Sequence, residues 1–124
     1  MIKGTGIDIV QVRRMERWRS IPGLLGRFFH ADELAAVMPK GSTANVSLAV
    51  RFAAKEAFGK ALGTGLKGIV LKDIMIANNP NGKPEMLVQG SALAALEKTG
   101  ANKIHVSLAH ERDYAVAMVI LETV

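Results

Sequence analysis

A long helical segment from Val46 to Leu62 constrains the fold of this chain more than any other feature. It is rich in alanine, and Gly63 follows at the position where a glycine in the left-handed conformation commonly ends a helix. A helix must bury its apolar side against another layer of secondary structure. The other elements are therefore expected to pack on this helix.

Segments with the composition of β-strands lie on both sides of the long helix. Residues 2–10 combine β-branched side chains with glycines, and further segments of strand character are found at 69–76, 86–88, 103–108 and 114–121. Polar turns at 78–84 and around Glu111-Arg112-Asp113 join neighbouring strands into hairpins. This order of elements predicts a single small α+β domain over residues 1–124, with a largely antiparallel sheet packed on one long helix.

Shorter helices complete the predicted elements. Val12, Met15 and Trp18 have the spacing of an amphipathic helix, which Ile21-Pro22-Gly23 ends. A second helix is predicted over 32–37 and a third over 91–99, with a loop at 40–45.

The composition narrows the class of partner. The chain has 124 residues, a net charge of +5 and a pI near 9.8, which favour an anionic partner such as a nucleic acid, a nucleotide or an acidic protein. Only 5% of the residues are aromatic and they form no platform for stacked bases, which argues against nucleic acid. There is no cysteine, so disulfides and thiolate metal sites are excluded. The longest apolar run, 115–121, is too short to span a membrane, and we expect a cytoplasmic protein without a signal peptide.

Asp8 is the first candidate for a catalytic or metal-binding residue. It lies between Ile7 and Ile9 at the end of a predicted strand, where an ionised carboxylate needs a cation or a metal as its partner. The alternative is a capping role at the helix that follows, and the spacing alone favours the cap.

Glu56 and Lys60 are candidates on the long helix. They are one turn apart, in the order of a surface salt bridge. Arg51 and Lys55 are also one turn apart and repel each other, so the helix concentrates positive charge around one acidic residue. A polyphosphate with its Mg²⁺ would satisfy such an arrangement, because the carboxylate binds the metal and the cations bind phosphate oxygens.

The remaining candidates carry weaker signals. His105 and His110 point to opposite faces of a strand and have no third ligand at a characteristic spacing, so structural zinc is not predicted. Each histidine fits either a structural role or a role as a donor to phosphate. Gly63-Thr64-Gly65 follows a helix rather than preceding one, and is therefore better explained as a helix stop than as a phosphate loop.

The chain as a whole resembles the holo-acyl-carrier-protein synthase family of 4′-phosphopantetheinyl transferases. The resemblance rests on Gly6-Ile7-Asp8-Ile9-Val10, on Arg51-Phe52-Ala53-Ala54-Lys55-Glu56-Ala57 with Lys60, and on His105-Val106-Ser107-Leu108-Ala109-His110. Ala61-Leu62-Gly63-Thr64-Gly65 and Asn81-Gly82-Lys83-Pro84 extend it in the same order. The family often has a small hydroxyl residue where this chain has Ala109.

The resemblance implies a homotrimer with coenzyme A bound in clefts between subunits. It implies that Asp8 and Glu56 ligate Mg²⁺ and that Lys60 acts on the transferring phosphate. The residues that it implies for coenzyme A are Arg51, Lys60, Gly63, Lys83, Pro84, His105 and His110. In the implied reaction, a serine hydroxyl of apo-acyl-carrier protein attacks the β-phosphoryl group of coenzyme A, and 3′,5′-ADP leaves. The serine proton would pass either to Glu56 or to a metal-bound water.

The first short helix is the predicted docking surface for the acidic carrier protein. Arg14 is the position that matches the carrier-binding arginine of the family, and the other candidates on this helix are Arg13, Met15, Arg17 and Trp18. One rival hypothesis keeps the chemistry but makes the acceptor a carrier domain of a polyketide or peptide megasynthase. A second is a non-catalytic module that binds acidic proteins or RNA through its basic helix.

Overall fold

The computed structural model describes residues 1–124 and has five helices and five strands. The strands are β1 (Ile2–Gln11), β2 (Ile74–Asn78), β3 (Pro84–Val88), β4 (Lys103–His110) and β5 (Tyr114–Glu122). The helices are α1 (Arg13–Arg19), α2 (Leu25–Phe28), α3 (Ala31–Val37), α4 (Ala44–Leu62) and α5 (Gly90–Thr99). Short 3-10 helices cover Met38–Thr43 and Leu71–Asp73.

The predicted α+β architecture is confirmed, and every strand pairing is antiparallel. The main sheet has the order β1-β5-β4, and β2 and β3 form a separate two-stranded sheet. Asp8, Ala117 and Leu108 lie in one row across the main sheet. Helix α4 packs on the face of the sheet that carries this row, and it lies against both β1 and β5.

Helix α4 is the centre of the core. Alternate residues of β5 are buried, namely Ala115, Ala117, Val119 and Leu121, and they face the helix. The many alanines of α4, with Leu48 and Phe58, are almost completely buried as well. Small side chains let the helix lie close to its neighbours on several sides, so α4 is covered around most of its surface.

Two glycines bring β1 unusually close to α4. A Cβ atom on Gly4 would lie 2.0 Å from the carbonyl oxygen of Ala61, and one on Gly6 would lie 2.0 Å from the carbonyl oxygen of Ala57. No side chain fits between strand and helix at these points. The residue types therefore fix the distance between β1 and α4, and with it the distance between the residues that follow on each element.

The largest differences from the sequence predictions lie in three places, and strands β3 and β4 are each two residues longer than predicted. Residues 71–73 form a 3-10 turn instead of a strand, because the Asp73 carboxylate accepts hydrogen bonds from the backbone N–H and the hydroxyl of Ser91 and is turned toward α5. Helix α2 was not predicted. The predicted loop at 40–45 is mostly a 3-10 helix that runs into α4. The glycine stops are confirmed, since Gly63 and Gly100 have φ of 84° and 82°.

None of the helices is both long enough and apolar enough to cross a membrane.

Substitution of Gly6 by alanine should test the close contact. The new methyl group would overlap the Ala57 carbonyl, so β1 must move away from α4, and we expect a loss of stability of about 2 kcal/mol or more. Thermal or urea unfolding measures this loss. Gly26→Ala is the matched control, because nothing lies within 4 Å of a Cβ atom at that helical position. Equal stability of the two variants would show that the contact is not a constraint.

Candidate active site

Asp8, Glu56 and Lys60 come together where β1 crosses α4. The Lys60 ammonium donates hydrogen bonds to Oδ1 of Asp8 at 2.9 Å and to the carbonyl oxygen of Ile7 at 3.0 Å. The side chain of Asp8 is only 16% exposed, whereas that of Lys60 is 55% exposed. The ammonium is therefore the accessible member of the pair, and the carboxylate is largely buried beside the strand. Asp8 therefore has a cationic partner. The capping role that the spacing favoured is wrong, because the N-cap of α1 is Val12 and no side chain caps it.

Glu56 lies at the same crossing, and its carboxylate interacts electrostatically with Asp8 and Lys60. Burial raises the pKa of Glu56, and the negative charge of Asp8 raises it further, while Lys60 and Arg14 act in the opposite direction. The two carboxylates repel each other, and Lys60 supplies only one positive charge against their two negative charges. A divalent cation would supply the missing positive charge.

The set of donors fits Mg²⁺ with a phosphate substrate better than a closed protein site. No group of three or more His, Asp or Glu side chains converges in a way that could hold a metal by itself. Mg²⁺ is usually bound through one or two carboxylates, with the remaining positions taken by water and substrate phosphates. Asp8 and Glu56 can provide such a pair, and Lys60 lies beside them to bind phosphate oxygens.

The other two basic residues of the α4 motif do not join this group. Lys55 is fully buried and pairs with Glu33 at 2.7 Å, so the prediction that it adds to the positive charge around Glu56 and binds phosphate is wrong. Arg51 is only 5% exposed. It precedes Glu56 by five residues, which places the two side chains about 140° apart around the helix. In the single chain, Arg51 therefore lies away from Asp8 and Glu56, because helical spacing turns it to another side of α4.

The Arg51 guanidinium has only one partner. One of its terminal nitrogens donates to the carbonyl oxygen of Ser47 at 3.3 Å, while the buried Nε has no partner. Burial lowers the pKa of Arg51. It lines a recess of about 480 Å³ together with Lys40 and the end of β2.

The remaining predicted coenzyme A residues are distributed over three places. Gly63 ends α4 next to Lys60, and its N–H donates to the carbonyl of Lys60. Lys83 and Pro84 lie at the tip of the β2–β3 hairpin. His105 pairs with Ile120 on the sheet face opposite α4, and its Nε2 lies 2.8 Å from Oε1 of Glu122, whose pKa it lowers.

His110 lies on the other face of the sheet from His105. It is opposite Ala115, which is buried under α4, but it lies at the end of β4, two strands away from β1. The alternation predicted from the sequence is therefore confirmed. A single chain does not bring both histidines to Asp8.

Helix α1 presents its arginines on two sides. Arg14 lies over the ring of Trp18 at 5.9 Å, and the charge of Arg14 is felt by Glu56. Trp18 packs in turn against Phe28 and Phe52, with ring centroids 5.0 and 4.9 Å away. Arg13 and Arg17 line a separate polar recess of about 480 Å³ with Gln11, Glu16 and Ser20.

Met15 does not belong to the docking surface that the sequence predicted. Its side chain is fully buried in the core, because the apolar side of α1 faces the domain. Glu33, Phe28 and Phe52 were not predicted as neighbours of the candidate residues. Phe52 precedes Glu56 by one turn, which is the only local signal that could have indicated its position.

Comparisons with known proteins give the family of the chain. Residues 4–119 match the 4′-phosphopantetheinyl transferase superfamily. A holo-[acyl-carrier-protein] synthase of Treponema denticola is 57% identical over 122 residues, which cover 98% of this chain and 99% of that protein. The fold is similar to that of the crystallised holo-[acyl-carrier-protein] synthase of Neisseria meningitidis, with a TM-score of 0.88, 36% identity and coverage of 99% and 100% of the two chains.

A second solved structure carries a ligand. The holo-(acyl-carrier-protein) synthase of Bacillus anthracis in complex with CoA (3′,5′-ADP) matches with a TM-score of 0.84 and 34% identity, over 100% of this chain and 99% of that one.

Replacement of Glu56 by glutamine should stabilise the metal-free protein at neutral pH. Because the pKa of Glu56 is raised in the folded state, its ionised form is disfavoured by folding, and this penalty is present at pH values above that raised pKa. The penalty disappears as the pH falls below the ordinary pKa of a glutamate. We therefore expect a higher melting temperature for Glu56→Gln at pH 7 and a shrinking difference toward pH 4, measured without divalent cations. A variant that is less stable at pH 7 would show that Lys60 and Arg14 outweigh burial and Asp8.

Proposed function

Because the chain belongs to the 4′-phosphopantetheinyl transferase superfamily, we propose that its active site is the group of Asp8, Glu56 and Lys60. The protein is a holo-[acyl-carrier-protein] synthase, which transfers 4′-phosphopantetheine from coenzyme A to a serine of apo-acyl-carrier protein in support of fatty acid biosynthesis. The observation that carries the proposed site is the convergence of two carboxylates and a lysine at the crossing of β1 and α4. We place the activity in the cytoplasm and assign it to one domain, residues 1–124.

The reaction replaces the phosphoanhydride bond of coenzyme A by a phosphodiester bond to the carrier serine, whose hydroxyl proton passes to Glu56 or to water. The oxygen of the carrier serine forms a bond to the β-phosphorus of coenzyme A, while the bond to the bridging oxygen breaks and 3′,5′-ADP leaves. Asp8 and Glu56 would hold Mg²⁺, which when bound supplies positive charge to the pyrophosphate oxygens. The Lys60 side chain is half exposed, so its ammonium can bind a phosphate oxygen directly.

We also propose that the protein is a homotrimer with coenzyme A bound between subunits. His105 lies on the sheet face opposite Asp8, and Lys83 lies on a separate hairpin, so one chain alone cannot direct them all at one ligand. The face that carries His105 is also apolar, since Ile7 and Ile9 are each 60% exposed and Met118 is 41% exposed. Contact with neighbouring subunits would cover this face and complete the site.

Helix α1 is the proposed docking surface for the acidic carrier protein. Arg14 is suited to the role because its stacking on Trp18 orders the guanidinium and because it lies near Glu56. An acidic group bound there would be close to the reacting phosphate. Arg13 and Arg17 lie on another side of the same helix and can add to the attraction at longer range. Trp18 remains in the proposed surface, and Met15 does not.

Mass spectrometry of an apo carrier protein tests the proposed function. Incubation with coenzyme A, Mg²⁺ and the protein should add one phosphopantetheine group to the carrier, and Asp8→Ala and Glu56→Ala should abolish the addition while both variants stay folded. Isolated carrier protein should be a better acceptor than carrier domains of polyketide or peptide megasynthases. Near-normal activity of Asp8→Ala at limiting Mg²⁺ would contradict the assigned site.

Mixed subunits test the shared site. Co-expression of Glu56→Ala chains with His105→Ala chains should restore activity that neither variant has alone, because some clefts then receive both natural residues. Random assembly from equal amounts restores about one quarter of the sites if each site takes one residue from each of two neighbours. Sedimentation gives the oligomeric state in the same experiment. A fully active monomer would contradict the proposal.

Reversal of the charge at Arg14 tests the docking surface. Arg14→Glu should raise KM for the carrier protein severalfold, leave KM for coenzyme A nearly unchanged and flatten the dependence on ionic strength, because rim charges act mainly on the rate of encounter. Lys72→Glu is the control with the same change of net charge at an exposed position away from α1. Equal weakening of both substrates would instead place Arg14 in the nucleotide cleft.

A further inference from the structure

Lys55 directly precedes Glu56 on α4, and its side chain is completely buried. Its ammonium donates three hydrogen bonds: to Oε1 of Glu33 at 2.7 Å, to the carbonyl oxygen of Leu71 at 3.0 Å, and to the carbonyl oxygen of Ile74. The ring of Phe29 lies 5.3 Å away. A lysine has three donors, so the hydrogen-bonding capacity of this side chain is fully used within the protein.

Glu33 is held equally firmly. Its Oε1 also accepts the backbone N–H of His30 at 3.0 Å, and its Oε2 accepts the backbone N–H of Ile76 at 3.2 Å. The pair therefore joins the start of α3, the segment around β2 and the middle of α4 into one network. Every polar group that it buries has a partner, which is the condition under which such a network rigidifies a core.

The network does not take part in binding substrate. Lys55 has no exposed surface and no free donor, so it cannot contact a phosphate. Burial lowers the pKa of Lys55, and the charge of Glu33 opposes this effect. The role of Lys55 must therefore be exerted through the elements that it joins.

Stability alone is a poor explanation for a buried ion pair. The desolvation of two charges offsets most of their attraction, and well-packed apolar residues of similar volume are often as stabilising or more so. Directional bonds provide what apolar packing does not. Three acceptors fix the position of the Lys55 ammonium, and with it the rotation of α4 about its own axis. Successive side chains are about 100° apart on a helix, so this rotation determines where Glu56 points.

We propose that Lys55 is a positioning residue for the transfer reaction, which holds Glu56 opposite Asp8 by anchoring α4 to Glu33 and to the backbone at Leu71 and Ile74. Gly4 and Gly6 set the distance between β1 and α4, and the Lys55 network sets the rotation of the helix. This inference rests on the proposed function, since it takes Asp8 and Glu56 to act on one cation. A displacement of about 1 Å at such a site can lower the rate about 100-fold.

Lys55→Met tests the proposal, because methionine keeps most of the length of the side chain and removes its three donors. We expect the folded variant to bind Mn²⁺, measured by electron paramagnetic resonance as a probe for the cation site, about tenfold more weakly than the natural protein. The value of kcat should fall by about 10- to 100-fold, with KM for the carrier protein unchanged. All measurements are made at a temperature at which circular dichroism shows the variant to be folded.

Leu48→Ala is the matched control. Leu48 is fully buried on α4 and lies two turns before Lys55, on nearly the same side of the helix. It has no polar side-chain group, so its truncation should lower the melting temperature without a change in Mn²⁺ affinity. A purely structural role for Lys55 predicts that Lys55→Met behaves in the same way, and that result would overturn the proposal.

Two further variants cover the remaining outcomes. Glu33→Gln is used if Lys55→Met does not fold, because glutamine keeps an acceptor for Lys55 and removes the acceptor for the N–H of Ile76. This variant should weaken Mn²⁺ binding to a smaller degree. Unchanged Mn²⁺ binding in this variant would overturn the proposal. Asp8→Ala tests the cation site by itself. Loss of Mn²⁺ binding in Asp8→Ala with unchanged binding in Lys55→Met refutes only the positioning role. Unchanged binding in Asp8→Ala refutes the proposed site.

Discussion

Where β1 crosses α4, the backbone of the strand lies directly against the backbone of the helix, because Gly4 and Gly6 place no side chain between them. The contact sets the depth of the strand in the core. It therefore determines where the side chains that follow on the strand lie. Two residues beyond Gly6, Asp8 faces the same side of the sheet, and one turn before Lys60, Glu56 faces the strand. A larger residue at either glycine would separate the two carboxylates.

The same crossing explains why the site is poor in positive charge. Asp8 and Glu56 are brought together by a packing contact that has no charge of its own, and the cost of ionising Glu56 there is visible in its pKa, which is raised first by burial and further by the charge of Asp8. Lys60 offsets part of the cost, but its ammonium is half exposed and divides its bonds between Asp8 and a backbone carbonyl. The arrangement is stable enough to fold and still favours an additional cation, which is the condition expected of a site that binds a metal together with its substrate.

The parts of the fold that depend on local signals could be predicted from the sequence. Gly63 and Gly100 mark helix ends because each adopts a left-handed conformation that other residues avoid, and the β4–β5 hairpin follows from alternation and a polar turn. The partners of Asp8 and Lys55 could not be predicted in this way, because they lie far away in the sequence. Helical spacing grouped Lys55 with the positive charge around Glu56, whereas the structure buries it and pairs it with Glu33 on α3. Met15 is a different case, because its amphipathic spacing with Val12 and Trp18 already indicated the side of α1 that faces the core, and its assignment to the docking surface overlooked this signal.

The distribution of the candidate residues over one chain also constrains how copies can assemble. A cleft that takes Asp8 from one subunit and His105 from the next joins two different surfaces, since these residues lie on opposite faces of the sheet. Because one continuous patch does not readily include both faces of a sheet, the proposed cleft favours a head-to-tail contact over the self-complementary contact of a twofold dimer. In the proposed assembly, such a contact would repeat from copy to copy until the rotation closes a ring, and each added copy would cover another exposed apolar sheet face that carries Ile7, Ile9 and Met118. In a ring of this kind, one surface of each subunit contacts a different surface of the next subunit. The smallest such ring without twofold symmetry is a trimer.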